Sequence, residues 1–225
     1  MNPQELINKY GGRFSSSLGI RLSASNHDEI FKWFIASMLF GARISGNIAI
    51  KTYNELISKN IASPEDILKT GWDGLVAILD EGGYARYDFK TATKFLDVCK
   101  SLTENYNGNL NILHSRASDG KDLENRLKAL GKGIGDVTVN IFLRELRGIW
   151  LKATPLPPNI VMTAAKKAGF IPEELTDNKK ALHMLFSIWN GGRKGKEAEK
   201  RLESFPDFES ALVKSGLEIR KKKLS

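Results

Sequence analysis

Hydrophobic positions recur at spacings of three and four residues through most of this chain, the period of helices with one buried face. Between Asp28 and Phe40 they crowd nearly all round (Ile30, Phe31, Trp33, Phe34, Ile35, Met38, Leu39), which predicts a buried central helix. A second stripe, Ala49, Ile50, Tyr53, Leu56 and Ile57, predicts a helix over 47–58. "SPEDIL" from Ser63 supplies an N-cap, a proline at the first helical position and acidic residues that suit the dipole. A short helix follows over 72–79, stopped by Gly82-Gly83, and a long one over 88–106, with Ala92, Phe95, Leu96, Cys99, Leu102 and Tyr106 on one side. Asn107-Gly108 closes it.

Further helices are predicted over 121–130 and 136–146, and then "TPLPPN" (Thr154 to Asn159) interrupts the chain with three prolines. Beyond it the pattern predicts helices near 160–168, 179–189, 196–203 and 207–214. No alternating strand pattern and no internal repeat accompanies them. The fold class predicted is all-α, with about ten helices joined by short loops.

Composition narrows this picture. At 225 residues the chain has room for one large domain or two small ones, and such a chain buries about 70% of its unfolded surface without staples. The single cysteine, Cys99, excludes a disulfide framework and a cysteine-rich zinc or iron–sulfur site, and fits a reducing compartment. Residues 1–13 lack an apolar segment of signal-peptide type, and no run approaches the roughly 20 apolar residues that span a bilayer. The expectation is a cytoplasmic protein without membrane contact. The three histidines, His27, His114 and His183, are scattered and suggest neither a metal site nor a catalytic triad.

Charge points to a partner. A formal net charge of +8 favours a polyanion. Part of the excess sits in Arg193-Lys194-Gly195-Lys196 and Arg220-Lys221-Lys222-Lys223, although such runs also occur as plain solvated surface.

The stretch "LKALGKGIGDVTVNIF" (Leu127 to Phe142) gives that partner a place. Gly131, Gly133 and Gly135 alternate in a turn between two helices. If the second helix starts near Gly135, its first amides lack intrahelical acceptors and its dipole attracts an anion. Glycines at 133 and 135 let a phosphate backbone approach, Lys132 adds a charge beside it, and Ile134 pins the turn to the helices. A plain turn between helices needs one C-cap glycine, not three.

"LGKGIGDVTVNIFL" resembles the helix-hairpin-helix motif of the endonuclease III superfamily of DNA base-excision glycosylases (HhH-GPD). Two upstream segments are similar as well: "FKWFIASMLFGARISGNIAIKTYNEL" to that family's first buried helix and following loop, and "ILDEGGYARYDFKTATKFLDVCKSLTENYNGNL" to its middle segment. The likeness spans about 29–170. It implies two helical lobes: a six-helix lobe over 29–144 containing the hairpin (about 121–146), and a second lobe built from 1–28 and 145–225. It implies base-excision repair on duplex DNA carrying a damaged or mismatched base, which is flipped from the stack, by a protein acting as a monomer. Lys132, Gly133, Ile134, Gly135 and Thr138 would form the DNA-binding hairpin. Arg43 in "GARIS" would fill the vacated space in the duplex, and Tyr84 and Arg86 in "GGYARYD" would line the pocket or contact the strand. Arg43 could equally be a surface arginine near a helix end, and Tyr84 a core residue. A monovalent cation, potassium or sodium, would be held by hairpin carbonyls, and the family's four-cysteine iron–sulfur loop is absent.

The family's chemistry is harder to place. Its bifunctional members carry a lysine in the hairpin's second helix that attacks the sugar C1′; Val137 stands there. Its catalytic aspartate follows the hairpin helix and stabilises the cationic sugar or activates water; Pro157 stands there, and a slip of the alignment offers only Pro158 or Asn159. No acidic residue occurs between Glu145 and Glu173. Asp136, Glu145 and Lys152 are the remaining candidates. Each has a plain alternative: Asp136 as an acidic residue favoured in a first helical turn, Glu145 as a partner of Arg144 or Arg147, Lys152 as a solvated side chain. The sequence therefore predicts either a DNA N-glycosylase with a non-standard acid or base, or a non-catalytic DNA-binding protein on the same fold. A helical protein–protein adaptor is disfavoured by the charge and the hairpin.

Overall fold

The computed structural model describes residues 1–24 and 26–222, which form twelve helices and no strand. In chain order these are α1 (Pro3–Tyr10), α2 (Phe14–Ser17), α3 (His27–Phe40), α4 (Gly46–Ser58), α5 (Pro64–Glu81), α6 (Asp88–Tyr106), α7 (Leu110–Arg116), α8 (Gly120–Ala129), α9 (Asp136–Leu146), α10 (Asn159–Lys167), α11 (Asn178–Asn190) and α12 (Lys196–Lys222). The chain divides into two compact units, Leu18–Phe142 and Met1–Ser17 with the residues from Leu143 onward. No helix among the described residues is long and apolar enough to cross a membrane.

In the unit 18–142, α3 is the core. Nine of its residues are buried, and Asn26 caps its start by accepting the Glu29 amide. Around it pack α4 and α7, with α5 on α4 and α6 on α5. The two helices predicted over 63–68 and 72–79 occur as the halves of α5, joined across a break at Gly71, where φ is 69°. Asn107 ends α6 in the left-handed conformation, its amide reaching back to Thr103. Two close approaches fix the geometry. A Cβ on Gly41, at the end of α3, would lie 2.2 Å from Thr138 Oγ1, so α3 and the start of α9 meet almost backbone to backbone. The Trp33 indole ties the same pair by donating to the Phe142 carbonyl at 3.1 Å.

The other unit is organised by α12, which packs against α1, α10 and α11. Its core includes Leu6, Val161, Ala165, Leu185, Trp189, Phe205, Phe208 and Leu212. The Trp189 and Phe208 rings stack 5.8 Å apart. Here the sequence expectation of two helices, 196–203 and 207–214, is corrected: the helix runs on through Pro206. Proline removes one backbone hydrogen bond. Phe205, Phe208 and Leu212, all fully buried on either side of it, keep the helix whole by packing. Arg220 to Lys222 form its exposed end, and Lys223 lies outside the described residues. The sequence pattern had also passed over α1, α2 and α7.

Candidate nucleic-acid interface

The glycine-rich turn sits between α8 and α9 in the unit 18–142, and its three glycines have three different reasons. Gly131 is bare because α6 passes close: a Cβ there would lie 2.7 Å from Val98 Cγ2. Gly133 has φ +93°, a conformation that disfavours any side chain. Gly135 has neither constraint. Its φ is not positive, and a Cβ would meet nothing within 4 Å. Ile134 is buried and its amide donates to the Gly131 carbonyl at 3.2 Å, closing the turn.

Helix α9 starts at the turn. Its first backbone bond runs from the Val139 amide to the Gly135 carbonyl at 3.1 Å, which makes Gly135 the N-cap residue without a side chain to cap with. The amides of Asp136, Val137 and Thr138 therefore have no intrahelical acceptor. Asp136 carries the one carboxylate of this first turn, and Lys128 on α8 is paired with it. That ammonium holds the Asp136 carboxyl below its ordinary range, first through the hydrogen bond from Lys128 and then through its charge.

Beside the turn lies a cavity of about 660 Å³, lined among others by Arg43, Phe89, Lys90, Lys94, Lys132 and Gly133. The Lys94 stem passes the turn, its Cδ 3.7 Å from where a Gly133 Cβ would be. Burial pulls the Lys94 ammonium below the usual lysine range.

The sequence candidates separate on this framework. Arg43, Lys132 and Gly133 come together at the cavity. Gly135 is exposed at the head of α9, and Arg86 is exposed with its guanidinium 5.6 Å from the Tyr87 ring centre. Ile134 is buried, in keeping with its expected role of pinning the turn, and Tyr84, at 1% exposed, takes the core role rather than a strand contact; Thr138, expected in the DNA-binding hairpin, is buried where α3 abuts α9. Thr138 can offer an external partner only its backbone amide.

The chemical candidates separate too. Val137 is 62% exposed and carries no nucleophile. Asp136 is exposed and paired with Lys128. Glu145, Lys152 and Pro157 belong to the other unit. There Glu145 is fully buried. Its carboxylate accepts the amides of Phe14 at 2.8 Å and Ser15 at 2.9 Å and the Ser210 hydroxyl at 3.2 Å. Of the two partners expected for Glu145, Arg147 bonds Glu209 instead, at 2.8 Å, while Arg144 is buried and feels the Glu145 charge. Lys152 is half-buried, and Pro157 is buried with its carbonyl accepting from Asn178. Among the described residues no three His, Cys, Asp or Glu side chains converge as a metal site.

Sequence reasoning missed Trp72, Phe89, Lys90 and Lys94. The signal was available: both aromatics fall at the start of their helix segments, ahead of the buried positions that begin at Leu75 and Thr91. The chain matches no family model and no curated protein.

Proposed function

We propose that this chain is a DNA-binding protein of base-excision repair, built in the manner of the helix-hairpin-helix DNA glycosylases and gripping duplex DNA by its glycine-rich turn. The observation that carries this reading is Gly135. Packing accounts for Gly131 and backbone conformation for Gly133. Gly135 heads a helix with free amides and faces open space, where neither packing nor backbone conformation calls for glycine. Lys132 and Arg43 supply positive charge nearby, as a phosphate backbone requires. A damaged or mismatched base is the element such a protein would engage.

Gly135→Asp tests the grip. Aspartate is a favourable N-cap, so the folded chain should be as stable as the parent or slightly more so. Its carboxylate would stand where the phosphate sits. Duplex affinity should fall about tenfold or more, irrespective of sequence, and the slope of affinity against salt should become shallower. Unchanged affinity in a correctly folded variant overturns the assignment.

A second reading, a lesion-binding protein without glycosylase chemistry, has an observation of its own. The exposed Val137 holds no amine, and Glu145 is committed to backbone amides. Duplexes carrying uracil, a thymine–guanine mismatch, 8-oxoguanine, an alkylated base or an abasic site decide between the two. Base release lost in Asp136→Asn supports the enzyme. Tight lesion binding with no release supports the binding protein.

A further inference from the structure

The cavity beside the turn holds more than a duplex grip needs. Four cations line it, Arg43, Lys90, Lys94 and Lys132, against one carboxylate, Asp97. Among the described residues none of the four makes a salt bridge, so their charge is uncompensated within the chain. Phe89 lines the cavity and is 58% exposed, and Trp72, 40% exposed, lies against Phe89. Their ring centres are 5.2 Å apart. The pair is held in place: Trp72 Nε1 donates to Thr93 Oγ1 at 3.1 Å, and that hydroxyl donates to the Phe89 carbonyl at 2.9 Å. With its N–H consumed, what Trp72 presents is apolar ring surface.

A single exposed aromatic needs no explanation. Two in contact, anchored, at the edge of an unpaired basic cavity call for a ligand that is both anionic and flat. A duplex offers phosphates but keeps its base faces stacked. An acidic peptide offers charge without π-faces. An unpaired nucleotide strand offers both. We infer that this cavity binds single-stranded nucleic acid, with a base stacked on the Phe89–Trp72 pair and the flanking phosphates on Lys90, Lys132 and Arg43. The inference rests on the nucleic-acid reading above and adds a second subsite to it, one that acts on strand opened or left unpaired rather than on paired duplex. Lys94 lies deeper and adds its charge to the same field.

The test uses the full chain with fluorescently labelled dT15, rU15 and a 20-base-pair duplex, followed by anisotropy. Tryptophan emission is followed in parallel with unlabelled strands. Trp33, Trp150 and Trp189 are at most 3% exposed, so quenching by a bound base reports on Trp72. Either single strand should quench the parent protein, and Trp72→Phe should lose the quenching while still binding. Phe89→Ala should weaken single-strand binding about five- to a hundredfold, the worth of one stacked base. It should leave duplex affinity intact, because the side chain is exposed and its loss unfolds nothing. Lys90→Glu serves as an independent variant. Single-strand affinity unmoved by Phe89→Ala and Lys90→Glu overturns the inference, as does equal displacement of dT15 by polyglutamate of matching charge. The two readings fail separately. Gly135→Asp should reduce duplex binding and spare the quenching by dT15. Quenching sensitive to Phe89 in a protein that ignores duplex leaves this subsite standing and removes the hairpin grip.

Discussion

Replacing Glu145 by glutamine removes one negative charge from the interior of the unit formed by residues 1–17 and 143 onward. The carboxylate is 0% exposed and accepts three hydrogen bonds, two of them from the adjacent amides of Phe14 and Ser15 that begin α2. Hydrogen bonds to a charged acceptor contribute about 1.5–3 kcal/mol each. Glutamine keeps one acceptor oxygen and turns an NH₂ group toward a donor, so at least one bond becomes a donor–donor clash. Charge balance suffers as well. Arg144 is buried beside it with its Nε lacking a partner, and burial already lowers its affinity for the proton, with Glu145 and Glu209 opposing. Glu209 is committed to Arg147, so Glu145→Gln removes the negative charge that acts more strongly of the two on the buried Arg144. Leaving a buried charge uncompensated costs about 3–5 kcal/mol. For a chain of this size that is a fall in Tm of roughly 6–20 °C. Urea titration followed by circular dichroism and by tryptophan emission measures it, and disagreement between the two probes would reveal separate unfolding of the two units. A shift below about 0.5 kcal/mol, within the range of ordinary surface substitutions, refutes the structural role. Unaltered stability with lost base release would make Glu145 catalytic instead.

Gly41→Ala should destabilise by about 1–3 kcal/mol, because its Cβ would fall 2.2 Å from Thr138 Oγ1. Adding Thr138→Ala should return part of the loss in a double-mutant cycle read by urea midpoints; strict additivity refutes the contact. Acid sensitivity follows from depressed carboxyls. The Ser63 hydroxyl first, then the Ala62 and Ser63 amides, against a smaller opposing effect of burial, hold Asp66 below its ordinary 3.8, and the Lys180 and Lys179 amides do the same for Asp177. A lowered folded value gives stability that is present above the unfolded value and lost as pH falls through the folded one. The urea midpoint should therefore be flat from about pH 7 to 5, drop below about pH 4, and drop less in Asp66→Asn. Cys99 is fully buried and burial raises its thiol, so it should stay unmodified by a thiol reagent until the chain is unfolded.

Periodicity located α6 and α9, which begin and end where the spacing places them, because their apolar stripes are unbroken, whereas Gly71 and Pro206 split the pattern of α5 and α12. The short ones escaped, although α1 carried a readable start, with Asn2, Pro3 and Glu5 forming a capping box. Side-chain roles were less legible because they depend on approaches between distant segments. Nothing near Thr138 in sequence says that Gly41 lies against it. Glu145 looked like a neighbour's ion-pair partner, yet the amides it accepts come from 131 and 130 residues away. Arg43 and Lys132 could be named as cations, but their meeting at one cavity with Lys90 and Lys94 is a property of the fold alone.

Glycine counting sharpens when each glycine is asked what a side chain would strike. An alternating G-x-G-x-G turn invites a single explanation, and here it has three. A helix passing behind Gly131 would demand glycine in any protein, with or without a ligand, and the positive φ of Gly133 would do nearly the same. Had those two been the whole set, the turn would be evenly explained as a tight connection between α8 and α9. Gly135 breaks that balance, because serine or aspartate at an N-cap would stabilise the helix by about a few tenths of a kcal/mol at no steric cost. On the proposed reading, an outside group accounts for the bare position: an incoming phosphate oxygen would use the amides that a capping side chain would otherwise fill, which is why Gly135, the least constrained of the three, carries the proposal.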